Sequence, residues 1–160
     1  MMKTEIDDFL MKRACELAAL SVEKGCGPFG CVITDEESNI LAEGHNKVAE
    51  LKDPTAHAEV VTIRKACEIM DTYNLSNCKL YTSCEPCPMC LSAIYWARIK
   101  TVYYSNTRSD AKNIGFDDEY IYDEVKKEMK DRDIQFIKIV TDNSLESFNL
   151  WSNKKNKLLY

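Results

Sequence analysis

Helix-type and strand-type segments alternate along almost the whole chain, and this alternation narrows the fold more than any other feature of the sequence. Thr4 stands where it can cap a helix reaching about residue 23, with Ile6, Phe9, Leu10, the stem of Arg13, Leu17 and Leu20 at helical spacing. Gly25-Cys26-Gly27-Pro28 ends it. Cys31-Val32-Ile33-Thr34 and Ile40-Leu41-Ala42-Glu43 flank a polar turn and read as a hairpin. Asp53-Pro54 marks a loop, because the residue before proline is pushed out of helix. A helix is expected over about 55–70, a strand over 79–82, a helix opened by Pro86 and reaching about 97, and a strand over 101–104. Residues 106–118 read as a long loop, 120–130 as a helix, 134–140 as a fifth strand and 145–157 as a last helix. Strands separated by helices imply a sheet covered on both faces, and the opening hairpin makes that sheet mixed. The expectation is therefore an α/β chain, a three-layer α/β/α sandwich around a mixed five-stranded sheet, with residues 1–160 as one domain.

Length agrees, since 160 residues is one domain's worth of chain. The charge sum is 21 basic against 26 acidic residues, or −5. A chain that grips phosphate backbones is usually basic. The one dense basic cluster, Lys154-Lys155-Asn156-Lys157, reads as a solvated helix end. A small substrate is favoured over nucleic acid. No apolar run approaches the roughly 20 residues a bilayer span needs, so no membrane partner is expected. The first residues, Met1-Met2-Lys3-Thr4-Glu5-Ile6-Asp7-Asp8, carry acids where a signal peptide needs a basic stretch and an apolar block. A cytosolic location is expected.

Eight cysteines in such a chain point to metal or catalysis before disulfides. Cys15 and Cys67 fall on apolar helix faces and read as small buried hydrophobes. Cys87 and Cys90 are three apart on the first turn of a helix, so their sulfurs share a face, and the helix N-terminus favours thiolates there. They make half a zinc site, although a lone C-x-x-C also serves redox pairs and structural zinc, and Cys84 stands at the same spacing from Cys87. His57, one of two histidines, is a natural third ligand; a lone histidine at a helix start is more often a cap. Three protein ligands leave a fourth position open for water. Glu59 lies two residues past His57, poorly placed to ligate with it but well placed to take a proton from that water as general base and return it as general acid. H-x-E followed by P-C-x-x-C is the signature of zinc nucleobase deaminases.

On Gly27-Pro28-Phe29-Gly30, the run 53–60, the run 81–90, Ala93-Ile94-Tyr95-Trp96-Ala97-Arg98 and Gly115-Phe116-Asp117-Asp118, the chain resembles the cytidine-deaminase-like superfamily of zinc deaminases, and within it the bacterial guanine deaminases. The resemblance implies one Zn2+ per subunit on His57, Cys87 and Cys90, with Glu59 as proton shuttle, and so leaves Cys84 off the metal. It further implies a second acid at Asp118, a base-contacting Asn46, aromatic walls at Phe29 and Trp96, and a homodimer whose C-terminal segment, about 145–160, is swapped so that Tyr160 reaches a partner's site. Main-chain groups near Ala58 and Cys87 would hold the base. Blander roles exist for each: core packing for Phe29 and Trp96, a helix cap for Asp118, a turn for Asn46, a frayed end for Tyr160. Two small departures from the family pattern, Cys26 for a Gly and Cys31 for an Ala, touch fine specificity. The implied activity is hydrolytic deamination of guanine to xanthine and ammonia. Its rivals are deamination of cytosine, of a guanosine-type nucleoside or of adenosine in transfer RNA, and a structural zinc module without catalysis, for which Glu59 would have no use.

Overall fold

The computed structural model describes residues 3–159; the Thr4 side chain, read as a cap, and Tyr160 lie outside that description. The chain divides into two compact units, one ending at Tyr120 and one beginning at Ile121.

The first unit holds α1 (Lys3–Glu23), β1 (Gly30–Thr34), β2 (Ile40–His45), the single turn α2 (Val48–Leu51), α3 (Ala58–Met70), β3 (Lys79–Cys84), α4 (Pro88–Trp96), β4 (Thr101–Asn106) and α5 (Arg108–Asn113). The sheet order is β2-β1-β3-β4. β1 is antiparallel to β2 and to β3, while β3 and β4 run parallel across the α4 crossover. The pleat sorts side chains between two layers. Cys31, Ile33 and Leu80 turn towards a core that includes Ala58, Ile63 and Ala66 of α3 and Ile94 of α4. Val32 and Tyr81 turn the other way, onto Leu10, Ala14 and Leu17 of α1. The mixed sheet between two helical layers is as expected.

α1 lies closer to the sheet than its large apolar residues would allow. A Cβ built on Gly30 would sit 2.2 Å from the Ala14 carbonyl oxygen and 2.6 Å from the Ala18 nitrogen. The buried stripe is accordingly Leu10, Ala14, Leu17, Ala18 and Ser21, while Phe9 and Leu20, read as part of the apolar face, are exposed. Arg13 bonds both oxygens of Glu43, at 2.7 and 2.8 Å, but a half-exposed pair adds no more than about 1 kcal/mol. Full burial of Leu10 and Leu17 contributes more, about 1.5–3 kcal/mol each. Tyr81 stacks on Tyr103 with centroids 4.6 Å apart and donates its hydroxyl to Asp7 at 2.6 Å. Cys15 and Cys67, read as buried, are half-buried.

From residue 119 the chain forms α6 (Glu119–Lys126), a 3-10 turn (Met129–Asp131) and α7 (Glu146–Asn153). Residues 134–140 form no strand, so the sheet has four strands rather than the expected five. The β-type signal there records side-chain preference, and a strand additionally needs a partner's backbone. Ile134, Phe136, Ile137, Ile139 and Val140 are all exposed. Among the described residues no helix is long and apolar enough to cross a membrane.

The close approach at Gly30 gives a test. Gly30→Ala drives a methyl group into the α1 backbone and is expected to cost about 3 kcal/mol or more. Urea unfolding followed by circular dichroism should show the midpoint fall; an unchanged midpoint would contradict the packing described.

Candidate metal centre and cavity

Two helices begin at one place in the core. α3 starts after a turn in which Asp53 accepts from the Thr55 N–H at 2.8 Å and from its hydroxyl at 2.7 Å, while Lys47 N–H donates to the Ala56 carbonyl. His57 is the N-cap, with extended backbone. α4 starts with Cys87 as N-cap and Pro88 in its first turn. Neither N-cap side chain makes the capping hydrogen bond of the usual Ser or Asp, and the two meet across the gap instead. Gly44 lets α3 approach β2, since a Cβ there would lie 2.5 Å from Thr62 Oγ1.

His57 Nδ1 lies 3.5 Å from Cys87 Sγ and 3.6 Å from Cys90 Sγ. The three groups form a cluster able to hold a metal ion, with their donor atoms within 4.8 Å of one another. Tetrahedral zinc, with Zn–S near 2.3 Å and Zn–N near 2.0–2.1 Å, sets its sulfur and nitrogen ligands roughly 3.6 Å apart. The donor set and its spacing therefore fit zinc, and the cluster supports one zinc per chain. The electrostatics agree. Its contacts with Cys90 and with the neighbouring His57 ring hold the Cys87 thiol well below its ordinary range. The neighbouring Cys87 sulfur, then burial and the Glu59 carboxylate, push Cys90 up. The His57 ring is raised by its bond to Cys87. Cys84, at the same sequence spacing, turns its sulfur to the Thr107 carbonyl at 3.5 Å and stays outside the cluster.

Glu59, on the first turn of α3, is 6 % exposed, and burial raises its pKa. Its Oε1 accepts from the Thr82 hydroxyl at 3.2 Å and its Oε2 from Cys90 at 3.3 Å. Beside this group lies a cavity of about 220 Å³ lined by residues that include Phe29, Asn46, His57, Glu59, Cys87 and Asp118. Asn46 Oδ1 accepts the Val48 N–H at 3.1 Å, opening α2, so its amide nitrogen is the end left to face the cavity. Asp118 is half-buried, its carboxyl raised by burial and then by the Cys87 charge. The capping role weighed for Asp118 falls to its neighbour: Asp117 accepts the Glu119 N–H at 3.1 Å.

Two residues named from the sequence stand apart from the cavity lining. Ala58 is fully buried, its carbonyl taken by the Thr62 hydroxyl at 2.7 Å. Trp96 closes α4 and is 66 % exposed. Six residues along a helix from Cys90 carry it about 9 Å from the metal end. Sequence reasoning passed over Phe116, which meets Phe29 edge-on at 5.0 Å and forms a cavity wall. It also passed over Glu85, on the rim, where Arg108 donates from its N–H and Nε at 3.1 Å each and holds the carboxyl below its usual range. Thr82 was missed as well; its only signal is a hydroxyl at an inward-facing strand position.

The model of the cytidine and deoxycytidylate deaminase zinc-binding region matches residues 4–106. The chain is 50 % identical to the guanine deaminase of Bacillus subtilis (strain 168) over 151 residues, 94 % of this chain and 96 % of that one. It is 43 % identical to a tRNA-specific adenosine deaminase of Aquifex aeolicus over 98 residues, 61 % and 64 % of the two chains. The X-ray structure of the Bacillus subtilis guanine deaminase superposes with a TM-score of 0.91 at 49 % identity, covering 96 % of this chain and 98 % of that one.

Zinc analysis of purified variants checks the cluster. Cys87→Ala and His57→Ala should fail to retain stoichiometric zinc and should melt at lower temperature, because metal binding energy is also folding energy. Cys84→Ala should keep its zinc. The reverse pattern would move the site.

Proposed function

The chain belongs to the cytidine and deoxycytidylate deaminase zinc-binding family, and from that membership we propose that it hydrolyses guanine to xanthine and ammonia. The observation that carries the reading is the His57–Cys87–Cys90 cluster opening onto a small cavity with the Glu59 carboxylate buried beside it. Near full-length similarity to a guanine deaminase favours guanine over adenosine in transfer RNA, as does the net charge of −5. A volume of about 220 Å³ lies below the roughly 300–1,000 Å³ of pockets for larger ligands, which suits a free base.

His57, Cys87 and Cys90 would hold the zinc, whose contribution is to lower the pKa of a water towards about 7. Glu59 takes a proton from the attacking water as its oxygen bonds to C2, and gives that proton to the adjoining ring nitrogen. It then takes the remaining proton of the new C2 hydroxyl and, sharing that duty with Asp118, delivers it to the amine, so that the C2–N bond breaks as the C2 carbonyl forms and ammonia leaves. Burial raises the proton affinity of Glu59, which suits a group that must both accept and return a proton. Asn46 offers its amide N–H groups to an acceptor on the purine edge. Phe29 gives the ring an apolar wall, to which the structure adds Phe116. Main-chain groups near Ala58, whose own carbonyl is already engaged, and at Cys87 steady the base and the charge developing on it.

The proposal extends to a homodimer of single-domain subunits in which about 145–160 is exchanged and Tyr160 reaches the partner's cavity. Two features support it. β4 ends the sheet with one edge unpaired among the described residues, and the apolar row 134–140 is exposed. Exposed edges and apolar strips are surfaces that association covers. Eight unpaired thiols accord with a cytosolic setting.

Ammonia release from guanine, cytosine, adenine, guanosine and a transfer-RNA anticodon stem should be confined to guanine. Glu59→Gln should retain zinc yet lose about 10²–10⁴-fold in kcat; retained turnover would remove Glu59 from its role. Light scattering during gel filtration should give twice the chain mass of 18.4 kDa, and a monomer would overturn the exchange.

A further inference from the structure

The buried hydroxyls of the first unit are mostly spent on main chain. Ser21, Thr34 and Thr62 donate to the carbonyls of Asn46, Asp35 and Ala58, and Ser83 accepts from the Gly30 N–H. Thr82 differs. It is 1 % exposed, and its hydroxyl donates to the carboxylate of Glu59 at 3.2 Å, across 23 positions of sequence. It occupies a strand position that faces the same layer as Leu80, where valine would fill the same space and leave no polar atom to satisfy. A hydroxyl retained at such a place needs a partner, and here the partner is the carboxylate assigned to proton transfer.

The contact gains weight once metal is considered. Glu59 has two side-chain donors among the described residues, Thr82 on Oε1 and the Cys90 thiol on Oε2. A zinc ligand binds as thiolate, so the Cys90 donor is lost when the cluster fills, and Thr82 remains as the side-chain donor beside Glu59's own main-chain N–H. Oε1 is then held by the Thr82 hydroxyl, on a carboxylate that lines the cavity. We propose that Thr82 is a positioning residue for Glu59: its hydroxyl fixes the carboxylate rotamer so that one oxygen, always the same one, carries the proton. The role rests on the deaminase reading given above. Thr82 itself need not touch substrate, so the interaction matters when the proton moves and little when the base binds.

The test compares Thr82→Val, which keeps the volume and removes the hydroxyl, with Thr82→Ser, which restores it. Thr82→Val should hold one zinc per chain and lose about 10- to 100-fold in kcat with KM for guanine within twofold, the size expected for a hydrogen bond to a charged group. Thr82→Ser should recover most of that loss. A second readout needs no turnover. In zinc-loaded protein, the melting shifts of Thr82→Val and Glu59→Ala should be non-additive in the double variant, as for two residues in direct contact. A wild-type protein inactive on guanine would sink the deaminase reading and leave this cycle intact. Loss of zinc from Thr82→Val, equal losses in Val and Ser, a change in KM alone, or additive melting shifts would each overturn the assignment of Thr82.

Discussion

The structure is organised around one awkward requirement: an imidazole, two sulfurs and a carboxylate must sit together in a protein core. Isolated polar or charged groups in such a place cost several kcal/mol each unless they satisfy one another or bind a cation. The fold meets this by starting two helices at the same point. His57 and Cys87 are N-caps whose side chains meet each other rather than cap their helices, so the positive ends of α3 and α4 both face the cluster. Helix N-termini favour anionic sulfur over thiol. The hydrogen bonds within the cluster, each between 3.2 and 3.6 Å, keep it in register.

The architecture serves that meeting point. β3 and β4 run parallel, and the intervening α4 must begin at the carboxyl end of β3, where α/β sheets commonly present their ligands. Cys87 and Cys90 follow directly. α3 is brought to the same end by the hairpin β1–β2 and the polar turn around Asp53, and it can lie close because Gly44 carries no side chain. The walls of the cavity come from segments without regular structure, around Gly27, Asn46 and Phe116, which are free to differ without disturbing the core. Asn46 shows the economy of this part: its oxygen opens α2, and the same residue lines the cavity.

Much of this is legible in the residues alone. The long helices and the first four strands are, because their periodicity is strong. The metal donors are, because ligand chemistry and i, i+3 spacing are short-range properties of the chain. The short α2 and α5 have four and six residues and no periodic signal, so they escape such a reading. Asp117 and Asp118 are indistinguishable as neighbours in sequence; only the backbone path assigns the first to Glu119 N–H and the second to the cavity. Phe29 and Trp96 look alike as aromatic candidates, yet one lines the cavity and the other lies at the far end of α4.

The sequence by itself determined which atoms could bind a soft cation and which carboxylate would stand beside it, since those facts depend on residue type and on spacing within one helical turn. It also determined that strands and helices would alternate into layers. Tertiary structure decided what depends on distant segments meeting: that residues 134–140 find no strand partner within this description, that Phe116 faces Phe29, and that a strand threonine touches Glu59. Those contacts join residues from 23 to 87 positions apart. They follow from sheet register and from how closely glycine lets backbones approach, neither of which any local pattern encodes.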